Sequence, residues 1–116
     1  MQNMEESLYE KMRGKARFNV NLNATYCIKG QNLQHQECRI ANLSSSGATV
    51  RFSRNERLKS GAVIALAIAV PNTIMRVVTD AEIMWARHRF NDLIGGIKLT
   101  YMLSDNMIQQ LVKKAP

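Results

Sequence analysis

Residues 18 to 28 read Phe-Asn-Val-Asn-Leu-Asn-Ala-Thr-Tyr-Cys-Ile. Phe18, Val20, Leu22, Ala24, Tyr26 and Ile28 alternate with Asn19, Asn21, Asn23, Thr25 and Cys27, the pattern of a strand with one dry face and one wet face. Working outward, Gly30 lies in a turn over residues 29 to 32, a second strand is expected over about Gln36 to Leu43 and a third over about Gly47 to Ser53, with a serine-rich turn between them. Asn55 to Gly61 reads as a loop. Ile64, Leu66, Ile68 and Val70 then oppose Val63, Ala65, Ala67 and Ala69, bulky on one face and small on the other, as suits a strand curling around a core. Pro71-Asn72 turns the chain, a fifth strand is expected from about Ile74 to Arg87, Phe90-Asn91-Asp92 turns it again, and a sixth covers Leu93 to Tyr101. Six antiparallel strands joined by short connections predict an all-β fold closed, or nearly closed, into a barrel, because closure removes exposed edges.

The flanks complete this outline. Ser104 is a good N-cap, Asp105 suits a first turn, and Met107, Ile108, Leu111 and Val112 make an apolar stripe, so a short C-terminal helix is expected against the sheet or across a barrel mouth. At the other end Met4, Leu8 and Met12 recur at helical spacing, with Glu5 and Glu6 where a helix N-terminus favours acids. Gly14 interrupts this pattern and leaves Arg13 to Arg17 as a flexible basic segment. The expected organisation is a partly helical N-terminal arm over residues 1–12 and one domain over residues 13–116.

Bulk composition fits a single soluble domain. The chain has 116 residues, 46% of them hydrophobic and 22% charged, within the ordinary range of one globular domain. Sixteen Lys and Arg against nine Asp and Glu give a formal charge of +7, which favours an anionic partner: a nucleotide, a nucleic acid or an acidic protein face. Cys27 and Cys38 have neither C-x-x-C spacing nor a Cys/His cluster around them, so they read as reduced thiols in strands, with no zinc or redox motif. The apolar run from Ala62 to Val70 is less than half a membrane span, and Glu5, Glu6 and Glu10 stand where a signal peptide needs apolar residues. A cytoplasmic protein with no membrane segment is expected. His35 and His88 lack partners at triad or metal spacing, and no nucleophile with a base appears, so an enzyme is not expected.

Two short clusters carry chemistry. Arg13 and Arg17 are four residues apart and point the same way in a helix or an extended segment, so both guanidinium groups can converge on one ligand. An arginine fork binds phosphate bidentately, and guanine through O6 and N7. Asn42-Leu43-Ser44-Ser45-Ser46-Gly47 offers an amide at Asn42, a hydroxyl at Ser44, and at Gly47 a backbone that tolerates close approach. Each cluster alone also reads blandly, the first as solvated charge on an arm and the second as a hairpin loop. Trp85, in an apolar strand, reads first as core packing and second as an indole at the edge of a ligand site.

Together, Arg13-Gly14-Lys15-Ala16-Arg17 and Asn42-Leu43-Ser44-Ser45-Ser46-Gly47 resemble the signature of the PilZ domain family, R-x-x-x-R followed by D/N-x-S-x-x-G. The strand ending in Ile83-Met84-Trp85, the strand Gly95-Gly96-Ile97-Lys98-Leu99 and the terminal helix also fall where that family has them, so the resemblance runs from about residue 11 to the C-terminus. It implies a six-stranded antiparallel barrel that binds cyclic diguanylate (c-di-GMP), a bacterial second messenger, with no other cofactor. Carried over by position, Arg13 and Arg17 contact guanine and phosphate as a mobile lid, while Asn42, Ser44 and Gly47 form the barrel-side wall. Trp85 and Met12 are secondary contact positions; Met12 stands where some members have a further arginine associated with a stacked ligand pair, which implies one ligand molecule here. Many members have aspartate where this chain has Asn42, and a neutral acceptor in place of a charged one loses on the order of 1 kcal/mol.

The implied role is a receptor that orders its N-terminal arginine segment on binding and signals through a protein partner, in motility, biofilm or chemotaxis control. Two other readings stay open. A nucleic-acid-binding small barrel suits the charge, yet aromatics are only 6% of the chain and show no stacking platform interleaved with basic residues. A ligand-independent adaptor of the same fold would not need both motifs intact.

Overall fold

The computed structural model describes residues 17–31 and 34–112. Six strands, β1 (Phe18–Ile28), β2 (Gln36–Leu43), β3 (Gly47–Ser53), β4 (Val63–Ala69), β5 (Arg76–Arg89) and β6 (Asp92–Leu99), precede one helix, α1 (Asp105–Val112). All neighbouring strands are antiparallel, and they close into a barrel in the order β1-β2-β3-β6-β5-β4. The expected fold class and strand count hold. Strand ends differ by a few residues: β5 begins at Arg76, leaving Ile74 fully exposed in the β4–β5 turn, and β6 stops at Leu99. The arm over residues 1–12, with Met12, and the segment from Arg13 to Ala16 lie outside the described residues.

Period-two alternation builds the interior. Leu22, Ala24 and Tyr26 of β1, Ile64, Leu66 and Ile68 of β4 and Val50 and Phe52 of β3 all point inward and are buried. Tyr26 and Phe52 meet edge to face at 5.0 Å between centroids, a favoured aromatic geometry. Phe18, at the barrel rim, is half-exposed, and Cys27, whose short side chain lies in register with Ala65, is buried although its parity faces outward.

Both barrel ends are plugged by connections rather than strands. Leu58, from the β3–β4 connection, fills one end, while Leu103 with Ile108 and Leu111 of α1 closes the other. Ser104 caps α1: its Oγ accepts from the Met107 backbone N–H at 3.2 Å and its carbonyl accepts from Ile108 N–H at 3.0 Å. Met107, counted on the apolar stripe by sequence, is partly exposed.

Both cysteines are free and buried. Burial pushes the Cys38 thiol up to about 12, since a thiolate in an apolar interior loses its hydration. Unfolding lets this group ionise near its ordinary range. Its contribution to stability is therefore fully present below about pH 9 and is lost as pH rises toward 12. Chemical denaturation across that interval should show stability falling with pH, and Cys38→Ala should flatten the fall; an unchanged slope contradicts the assignment.

Candidate functional site

Three β-bulges shape one side of the barrel. In β2 the register slips between Ile40 and Asn42, in β1 between Asn19 and Leu22, and in β5 between Ile83 and Trp85. A bulge inserts one unpaired residue and shifts the phase of the strand beyond it. Thus Ile40 and Leu43 both face inward, three apart, and Ala41 and Asn42 are left outside. Likewise Met84 and Trp85 both face out after the inward Ile83, and the inward pattern resumes at Ala86. Two side chains singled out by sequence, Asn42 and Trp85, owe their placement on the outer wall to these slips.

Trp85 is therefore not a core residue. Its apolar strand suggests core packing, but the residue is 42% exposed and its indole lies against β6 beside Gly96. A Cβ on Gly96 would sit 2.1 Å from the indole Nε1, so only glycine leaves the ring its seat. The Arg87 guanidinium rests over the ring, 5.3 Å from its centroid, within cation–π range.

The serine-rich turn is held from inside. Ser44, 3% exposed, accepts through Oγ from the Ser46 and Gly47 backbone N–H groups at 3.3 and 3.1 Å, and its hydroxyl lies 3.2 Å from the Gly47 carbonyl as donor. The Ser44 backbone N–H donates to the same carbonyl at 2.8 Å. Ser45 and Ser46 carbonyls accept from Leu103 and Leu99 N–H groups at 2.8 and 2.9 Å, tying the turn to the segment entering α1. At Gly47 a Cβ would come within 2.5 Å of the Ile97 carbonyl oxygen. The Ser and Gly of the motif thus shape the turn, and Asn42 stands at its edge.

Arg17, immediately before β1, reaches across to that edge: its Nη1 donates to Asn42 Oδ1 at 2.9 Å. Both belong to a cavity of about 600 Å³ whose wall also includes Gly47, Thr49, Trp85 and Lys98, a volume in the range of small-molecule sites. No carboxylate is among its described lining residues, whereas Arg17 and Lys98 bring two cations. A similar cavity of about 490 Å³ at the other end of the barrel differs in kind. It contains Glu56, and its polar groups engage one another: Tyr26 with Gln36, Asn55 with Tyr26, and Arg57 with Gln31.

Of the residues expected at the site, Arg17, Asn42, Gly47 and Trp85 line one cavity. Ser44 lies beneath it in the turn, and Arg13 and Met12 fall outside the described residues. Thr49, Met84, Gly96 and Lys98 were not singled out as site residues. The paired glycines inside a strand were the legible signal, since glycine there marks close approach. Among the described residues no group of three or more His, Cys, Asp or Glu could hold a metal ion, and no helix is long and apolar enough to cross a membrane.

Comparison with known proteins agrees with this fold. The family model of the PilZ domain matches residues 11–114. Among solved structures, the inhibitor of motility MotI/DgrA of Bacillus subtilis superposes with a TM-score of 0.63 at 15% identity, over 82% of this chain and 46% of that one. The PilZ domain of YcgR from Escherichia coli, solved with c-di-GMP, superposes with a TM-score of 0.62 at 14% identity, over 83% of this chain and 82% of that one. The chain thus spans less than half of the B. subtilis protein. No curated protein sequence matches it.

Proposed function

Because the chain belongs to the PilZ domain family, we propose that it is a receptor for cyclic diguanylate, not an enzyme, and that the ligand occupies the cavity between Arg17, Asn42 and Trp85. The observation that carries this reading is the convergence of two cations, an amide and an indole on a cavity without described acids. The two phosphates of the ligand need positive partners, which Arg17 and Lys98 supply, and Arg17 can add bidentate geometry. Asn42 Oδ1, which accepts from Arg17, has a second lone pair for the N1–H and amino donors of a guanine edge. The Trp85 indole offers the apolar wall against which a purine packs. Ser44 and Gly47 act by holding the turn that presents Asn42.

The segment from Arg13 to Arg17 closes over the bound ligand, and Met12, standing where some members have a further arginine associated with a stacked pair, implies one ligand molecule. Ordering of that segment is the switch: it changes the surface that a protein partner meets. The output is contact with that partner, in processes of the motility, biofilm or chemotaxis kind.

Trp85, the chain's single tryptophan, reports binding directly. Its fluorescence should change saturably with c-di-GMP and remain unchanged with GMP; no change with either sinks the proposed placement. Asn42→Asp should tighten binding about fivefold, because a carboxylate can hold Arg17 and a guanine donor edge together through charge-assisted bonds. Equal or weaker affinity would show that the amide is not limiting. Gly96→Ala, by pushing the indole off β6, should shift the tryptophan emission maximum and weaken the ligand about tenfold, the upper range of one aromatic contact.

A further inference from the structure

Strand β5 is longer than its neighbours cover. It runs from Arg76 to Arg89; β4 pairs with its first half, Arg76 to Glu82, but β6 pairs with it only from Ala81 onward. One further bond, from Thr100 N–H to the Asp80 carbonyl at 2.9 Å, ends that ladder. The chain then bends at Thr100 and Tyr101 and crosses to the serine turn, where Leu103 N–H bonds the Ser45 carbonyl. Among the described residues, no backbone pairs with the β6 side of residues 75–79.

Three bonds fix which groups face that open edge. The Met75 and Ile83 carbonyls accept from Val70 and Gly61 on the β4 side, whereas the Asp80 carbonyl accepts on the β6 side. Backbone direction alternates along a strand, so Arg76 and Val78 turn their N–H and C=O groups to the edge. An uncovered edge is a template for another strand. This one is also apolar: Val78, 73% exposed, faces outward on it, Ile74 and Met75 stand just before it, and Tyr101 and Met102 follow the Thr100 bond, all of them exposed. Exposed apolar patches of this kind mark interaction surfaces.

Register selects the occupant. A two-fold pair presents one edge to itself, so its contacts must be self-complementary. Antiparallel pairing about Arg76 sets two arginines face to face, pairing about Val78 drives the second strand into Thr100 beside Asp80, and pairing about Met75 draws in the turn at residues 71–74. Pairing about Val77 avoids all three. Arg76 of each copy then lies opposite Val78 of the other, and these two pairs, whose groups face the edge, exchange four hydrogen bonds. Arg76 also lies diagonal to Asp80 of the other copy, within reach of a long side chain. The groups needed are at hand: Lys29 engages only Oδ2 of Asp80, and the tie of Arg76 to Thr25 Oγ1, at 3.5 Å, is at the limit of a hydrogen bond.

We propose that two copies of this chain join through their β5 edges, antiparallel about Val77, into one continuous sheet. This surface is separate from the cavity at Arg17 and does not depend on the ligand proposed there.

Sedimentation equilibrium of the nucleotide-free chain from about 1 μM to 1 mM, a span that covers weak to moderate association, should show monomer passing to dimer. Val78→Lys, which places a charge on the edge, should weaken the dimer about tenfold or more. Arg76→Asp and Asp80→Arg should each weaken it too, since each sets like charges on the diagonal. Mixed in equal amounts, these two variants should associate, because each offers the charge that the other lacks. Phe90→Ala, at an exposed tip on the opposite end of the barrel, should leave the equilibrium unchanged. Circular dichroism checks that each variant keeps the barrel, and Val78→Lys decides alone if loss of the Lys29 contact unfolds Asp80→Arg. A monomer at every concentration overturns the proposal and leaves the edge to a strand of another protein. A dimer that withstands Val78→Lys, one lost equally with Phe90→Ala, or a mixture of folded charge variants that stays monomeric overturns it as well.

Discussion

Arg17→Ala should lower affinity for c-di-GMP by roughly thirtyfold, about 2 kcal/mol, while leaving the melting temperature almost unchanged. A hydrogen bond between charged partners contributes about 1.5 to 3 kcal/mol, and Arg17 stands on the wall of a cavity whose described lining holds only one other cation, Lys98. The side chain is exposed, and its described hydrogen bond, to Asn42 at 2.9 Å, is a surface contact of small weight for folding. Arg17→Lys separates charge from geometry. If the planar fork matters, lysine recovers only part of the loss; if lysine restores full affinity, Arg17 acts as a point charge. Calorimetric titration of the three proteins, with thermal melts alongside, decides between these outcomes, and a change under twofold for alanine removes Arg17 from the site.

Gly47→Ala acts in the opposite way, on the fold before the ligand. The added methyl would sit 2.5 Å from the Ile97 carbonyl oxygen, a backbone atom inside a closed sheet that cannot turn aside as a flexible side chain can. Strand β3 must move off β6, which disturbs the Gly47–Lys98 pairing and the Ser44 bonds to Gly47. Overpacking of this kind costs about 3 kcal/mol, and for a domain of this size that lowers the melting midpoint by on the order of 12 °C. Ser44→Ala should cost less, about 1 to 2 kcal/mol, since it removes hydrogen bonds without adding a clash. A Gly47→Ala protein as stable as wild type would mean that the two strands separate freely there.

The barrel was legible because each strand keeps its period of two over most of its length, and Pro71-Asn72 and Phe90-Asn91 mark the turns of the two hairpins β4–β5 and β5–β6. What the sequence concealed was phase. Ile40 and Leu43, or Ile83 and Ala86, are three apart, and in a strict alternation one of each pair would face water. The bulges resolve that conflict by turning Asn42 and Trp85 outward, so a residue read first as core became part of the cavity wall. Ser44 shows the reverse: a hydroxyl that looked available in the motif lies buried, with its bonds spent inside the turn. Lys98 reaches the site through the β3–β6 register, a pairing between strands distant in the chain that local patterning does not carry, and Gly96 through the bulge that sets Trp85 beside it in the β5–β6 hairpin.

Isothermal titration of the purified chain with c-di-GMP, with GMP and cyclic GMP under the same conditions, tests the receptor reading most directly. A saturable heat is expected for c-di-GMP at one molecule per chain and none for the two mononucleotides. No saturable heat with c-di-GMP, or equal binding of all three, would contradict it.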